Sequence, residues 1–169
     1  MTAPAWNRWP SSTRRMSFGA ILPMAEESAF GEATPHFSDI LEMTRVANDV
    51  GFEAVWIVDH FVFRPEANAQ FAMPGTSDER GVWECFTLMA GLASATEKIN
   101  IGSLVACTGF RNPALVAKMV ETIDDISGGR AILGLGAGWH KPEYDAFGYP
   151  YDHRVGRFEE AVAIIAPLL

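Results

Sequence analysis

Three short strings bring groups capable of chemistry together: Asp59-His60, Cys107-Thr108-Gly109-Phe110-Arg111-Asn112-Pro113, and Gly134-Leu135-Gly136-Ala137-Gly138-Trp139-His140. A histidine titrates near neutrality and can take or give a proton, while Asp59 beside it either orients the ring or caps a turn. Thr108 supplies a hydroxyl and Arg111 a planar cation near a helix N-terminus, a setting that suits an anion; pairing of Arg111 with a carboxylate explains it equally well. Alternate glycines at Gly134, Gly136 and Gly138 let a flat ligand lie against bare backbone, with Trp139 as stacking surface. Their spacing is not that of a dinucleotide fingerprint, because the third glycine falls one residue early and the Trp139-His140-Lys141-Pro142 string does not open a smooth helix. His140 and Glu143 are possible metal ligands, but Pro142 lies between them and no H-x-H follows the first strand, so no metal is expected. Asp124 and Asp125 oppose a helix dipole, and Arg130 beyond the turn is their expected partner.

The elements that must position these groups are legible as four repeats of an apolar run followed by a helical pattern. The runs are Phe18 to Leu22, Ala54 to Val58, Ile99 to Ala106 and Ala131 to Leu135; all are continuously apolar, as strands covered on both faces are. The first helix opens at Thr34-Pro35 and stops at Gly51, the second spans about Trp83 to Ala95, and the third runs from an Asn112 cap through Pro113 to Gly128. A fourth starts near Arg154. Strand and helix alternate without return hairpins, which predicts right-handed parallel crossovers and an α/β fold. Four such units make half of a TIM (β/α)8 barrel, and the acidic, glycine-poor turn Pro23 to Glu27 argues against an open sheet with a phosphate loop. In a barrel the strand carboxyl ends carry function, which is where all three strings fall. The connection of about twenty residues from Phe61 to Val82, with Phe61, Phe63 and Phe71 as anchors, is long enough to cover a site.

Composition narrows the class. With 169 residues, 49% of them hydrophobic, the chain makes about one globular domain. Its formal charge of −8 disfavours nucleic acid and anionic membrane surfaces, and no apolar run reaches the ~20 residues of a membrane span. Cys85 and Cys107 form no C-x-x-C pair and read as ordinary buried thiols, so a reducing, cytoplasmic location is expected. Arg14-Arg15 loosely matches an export signal, but Pro23, Glu26 and Glu27 interrupt the apolar stretch such a signal needs. Residues 1–16 read as a flexible leader before a domain over residues 17–169.

The strings AVWIVDHF, NIGSLVACTGFRNPALVAKM and DDISGGRAILGLGAGWHKPEYDAFGYPY, with the closing R-x-x-R-F-E-E pattern, resemble the bacterial luciferase-like superfamily, and in particular its coenzyme F420 (deazaflavin)-dependent oxidoreductases. The resemblance runs from about Ser17 to Leu169. It implies a (β/α)8 barrel that binds F420, or alternatively flavin mononucleotide (FMN) in a monooxygenase, at the strand carboxyl ends. It places His60 at the reactive face of the ring as acid, base or electrophilic stabiliser, with Asp59 beside it. Leu104 and Val105 match a third-strand bulge, often with a non-proline cis peptide, that props the ring; Thr108 matches a cofactor-contacting hydroxyl; Gly136, Gly138 and Trp139 match the fourth-strand loop. Some members carry a catalytic carboxylate where this chain has Trp139, so that acid role does not transfer.

Members of the superfamily run to roughly twice this length, and barrel phosphate sites usually come from strands seven and eight. A lone half-barrel would leave parallel edges and an inner layer uncovered, so the chain is expected to be incomplete at its C-terminus or to form a homodimer. The expected activity is hydride transfer between F420 and a small organic molecule. The rivals are FMN-dependent monooxygenation and a catalytically silent half-barrel for assembly or flavin binding.

Overall fold

The computed structural model describes residues 16–26, 34–63 and 80–169. The leader, apart from Met16, and most of the long second connection, Phe71 included, lie outside them. Each apolar run forms a strand: β1 (Gly19–Ile21), β2 (Ala54–Ile57), β5 (Asn100–Ser103) and β7 (Ala131–Ile132) pair in parallel in that order. Helices α1 (Phe37–Asp49), α2 (Cys85–Ala95), α3 (Pro113–Ser127) and α5 (Arg154–Ile165) complete four β/α units. Val55, Ile57 and Ile101 point to one side of the sheet and are fully buried against Ile40, Met89 and Leu92 of the helices. Alternation along the strands sends Ile21, Trp56 and Gly102 to the other side. There the Trp56 ring lies across the glycines of both neighbouring strands, Gly19 and Gly102, while Ile21 is 60% exposed.

Local chemistry explains the boundaries. Asn112 accepts hydrogen bonds from the Ala114 and Leu115 N–H groups, Pro113 occupies the first turn of α3, and Gly128 ends it in the left-handed region at φ 70°. At α1 the expected Thr34 cap is replaced two residues on: His36 is the cap, and the Asp39 carboxylate accepts its N–H. The third and fourth runs are not single strands. The Leu104-Val105 peptide is cis and splits off β6 (Ala106–Cys107), which pairs in parallel with β8 (Leu135–Gly136). The Ser103 hydroxyl bridges the gap by donating to the Gly134 carbonyl and accepting its N–H. Three further elements correct the expected pattern. The ends of the second connection, β3 (Val62–Phe63) and β4 (Arg80–Gly81), form an antiparallel ribbon, and a fifth helix, α4 (Lys141–Phe147), stands where Pro142 had argued against one. Arg130 is not the partner of Asp124 or Asp125 either. Its guanidinium donates to the carbonyls of Ala93, Thr96, Ile99 and Ser127, tying the end of α2 to the turn, while Asp124 accepts the Ala131 N–H.

One ion cluster fixes the carboxyl ends of the strands. The Arg111 guanidinium meets Asp59 through two hydrogen bonds of 2.7 and 2.8 Å, donates to Glu84 at 2.6 Å, and lies between the Phe61 and Phe86 rings. Asp59 also accepts the Cys107 N–H, and Glu84 caps α2 through Phe86 and Thr87. This cluster therefore joins β2, β6, α2 and the start of α3. Burial would lower the Arg111 pKa, but the two carboxylates outweigh it and raise it. Burial likewise pushes the Glu84 carboxyl up, and the Thr87 and Arg111 hydrogen bonds outweigh that, leaving it below its ordinary 4.5.

Arg111→Met leaves the Asp59 charge buried and unpaired, so it should cost about 3–5 kcal/mol in urea unfolding. Because folding depresses the Glu84 pKa, its stabilising contribution is complete above pH 4.5 and is lost as the pH falls through the lower folded value. Glu84→Gln should accordingly flatten the acid limb of the stability profile, measured as melting temperature against pH.

Candidate functional site

Beyond β2 the chain runs Val58-Asp59-His60, and successive side chains leave an extended backbone on opposite sides. Asp59 turns into the Arg111 cluster. It therefore does not orient His60, and Arg111 has two carboxylate partners, the buried Asp59 and the half-buried Glu84, in place of a free anion site. His60 turns the other way, and its Nδ1 lies 2.7 Å from Glu143 Oε2. The other Glu143 oxygen accepts the N–H groups of Phe61 and Val62 at 2.5 and 3.2 Å. Glu143 is 1% exposed, and a carboxylate that deep is stable only when donors surround it.

Glu143 reaches this position from α4. Pro142 sits in the first turn, where its missing N–H costs nothing, and Gly148 closes the helix in the left-handed region at φ 72°. Those two residues were the signal in the sequence: a proline followed six residues later by glycine brackets a short helix as readily as it breaks one. The helix also buries Tyr144, whose hydroxyl contacts Cys107 Sγ at 3.1 Å and donates to the Ala137 carbonyl. Burial pushes the Cys107 thiol and the Tyr144 phenol up from their ordinary values, and the neighbouring Glu143 charge adds to both shifts.

A cleft of about 130 Å³ opens beside this helix, lined by Asp59, His60, Leu104, Val105, Cys107, Phe110, Gly138, Trp139 and Glu143. Six of the eight residues expected to act in catalysis or cofactor binding thus meet in one place: Asp59, His60, Leu104, Val105, Gly138 and Trp139. Thr108 and Gly136 lie behind it, where the Thr108 hydroxyl donates to the Gly136 carbonyl. Leu104, Val105 and Trp139 are each about 40% exposed and form an apolar rim. The His60 side chain, 19% exposed, supplies the polar edge, with Trp139 edge-on to it at 5.6 Å and Phe63 at 5.7 Å. The glycines have a packing reason different from a ligand cradle. A Cβ on Gly136 would strike Val105, and one on Gly138, which has φ 75°, would strike Tyr144 and lie 2.6 Å from Cys107 Sγ. Among the described residues no group of three His, Cys, Asp or Glu is placed to hold a metal, and both Glu143 oxygens are occupied. No helix among the described residues is long and apolar enough to cross a membrane.

Gly138→Ala places a methyl group against Tyr144 and Cys107 at a positive φ. It should destabilise the protein by about 2–4 kcal/mol in urea unfolding, whereas Gly128→Ala, whose Cβ meets nothing, should cost about 1 kcal/mol.

Comparison with known proteins agrees with this architecture. Pyrimidine monooxygenase RutA of Enterobacter sp. (strain 638) is 52% identical over 148 residues, covering 84% of this chain and 38% of the relative. The coenzyme F420 dependent tetrahydromethanopterin reductase from Methanopyrus kandleri superposes with a TM-score of 0.56 at 30% identity, covering 80% of this chain and 30% of that one. The oxygenating constituent of 3,6-diketocamphane monooxygenase from Pseudomonas putida, solved with FMN, has a TM-score of 0.64 at 21% identity, a likeness of fold over 89% of this chain and 38% of that one. The chain thus spans well under half the length of the curated relatives it matches. Residues 16–169 match the luciferase-like monooxygenase family, and with the parallel β/α units and 52% identity to a named monooxygenase, the chain belongs to that family.

Proposed function

We propose that this chain forms one wall of the active site of an FMN-dependent monooxygenase that acts on a small heterocyclic substrate of the pyrimidine type. The observation that carries the reading is the 52% identity to pyrimidine monooxygenases, which favours the FMN alternative over the F420 reading drawn from the sequence. The residues of the cleft fit a flat ring. Leu104 and Val105 offer an apolar platform and Trp139 an aromatic side. A cleft of about 130 Å³ takes part of such a ring, in keeping with a wall and not a whole pocket. Reduced FMN, when bound, supplies the activation of dioxygen from which one oxygen atom is inserted into the substrate. The chain's own residues hold the ring edge, exclude water with the Phe63 and Trp139 side chains, and manage a proton at His60. Asp59 and Arg111 keep the strand ends in place. The 30% identity to a coenzyme F420 dependent reductase supports hydride transfer with the deazaflavin as the second reading.

The complete protein, given FMN, a flavin reductase, dioxygen and uracil, should retain FMN on gel filtration and consume uracil only when oxygen is present. His60→Ala should reduce that turnover about a hundredfold or more. Retention of F420 with oxygen-independent oxidation would support the second reading instead, and full turnover by His60→Ala would exclude His60 from the reaction.

A further inference from the structure

The imidazole of His60 has two nitrogens, and only one of them has a partner among the described residues. Nδ1 faces Glu143 Oε2 at 2.7 Å, while Nε2 makes no hydrogen bond to a described residue. Between a carboxylate and an imidazole at this distance one proton is shared, and the imidazole is the stronger base of the two by roughly two pKa units in isolation. The remaining Glu143 oxygen is already occupied by two backbone donors that cannot give up their hydrogens, which keeps the side chain in its accepting form. The ring cannot turn over without loss. A flip of 180° would replace Nδ1 with a carbon and leave a buried carboxylate oxygen without its donor, and the ring is hemmed by Phe63, Trp139 and His140 at centroid distances of 5.7, 5.6 and 6.0 Å.

We propose that Glu143 is the positioning residue of the site: it holds the His60 proton on Nδ1 and thereby presents Nε2 as a bare acceptor for an N–H or O–H of the molecule in the cleft. The same carboxylate fixes the direction of the chain, because its partners are three consecutive residues, His60, Phe61 and Val62. A helix residue more than eighty positions later therefore sets both the orientation and the tautomer of the imidazole. An acceptor at Nε2 matches ring N–H groups such as those of a pyrimidine, and this choice of substrate class rests on the monooxygenase reading; the tautomer does not.

The test is long-range 1H–15N correlation NMR on the 15N-labelled protein without cofactor, at a pH where His60 is neutral. The expected spectrum has His60 protonated on Nδ1, with Nε2 resonating as an unprotonated ring nitrogen. In Glu143→Gln the amide carbonyl still accepts from Phe61 and Val62 while its NH2 group turns to Nδ1, so the proton should move to Nε2 and the tautomer invert. Protonation on Nε2 in the unaltered protein, or the same tautomer in both proteins, would overturn the proposal. If the variant does not fold, the spectrum of the unaltered protein decides alone. A failed FMN assay with the expected tautomer would refute the monooxygenase reading and leave the role of Glu143 standing.

Discussion

A single buried anion organises this end of the molecule. Removing a carboxylate from water costs several kcal/mol unless its oxygens are matched by donors, and Glu143 finds three of them on consecutive residues of the β2 exit. The requirement works in both directions. Two backbone N–H groups and a ring nitrogen would lack an acceptor without Glu143, and Glu143 could not stay 1% exposed without them. The segment from His60 to Val62 thus has one low-energy course. That course carries the imidazole to the cleft edge and starts the β3 strand of the ribbon.

The neighbouring Asp59 meets the same physical demand with a different partner. Adjacent side chains of an extended segment diverge, so Asp59 and His60 cannot serve the same group. Asp59 goes to the Arg111 cluster, which couples β2 to β6, α2 and α3, and His60 goes to α4. The two clamps give the adjacent Asp59 and His60 separate tasks. One holds the ends of the strands; the other presents a nitrogen. Between them lies the apolar rim of Leu104, Val105 and Trp139.

Much of this was legible in the residues. Continuous apolar runs located the four parallel strands, and the Asn112-Pro113 and Gly128 signals placed both ends of α3. The positions of His60, Leu104, Val105 and Trp139 at the strand tips followed from the barrel pattern and the family resemblance. What escaped was long-range pairing of charge. Spacing alone pairs Arg130 with the nearest carboxylates in sequence, but it serves helix and turn carbonyls that no spacing rule relates to it. The sequence around Glu143 suggests only a metal ligand beside His140, because its partner lies 83 residues away and Pro142 sits in the first turn of its helix. The glycine string invited a ligand explanation although Val105 and Tyr144 already require it. Local grammar reports backbone conformation well; it does not report which buried charge a distant loop will find.

The most direct test of this account is a double-mutant cycle on His60 and Glu143, with His60→Ala, Glu143→Ala and the double variant compared by urea unfolding. A hydrogen bond to a buried carboxylate predicts a coupling of about 1.5 kcal/mol or more. Effects that add within about 0.3 kcal/mol would mean the two side chains are not bonded, and the account of the site would fail.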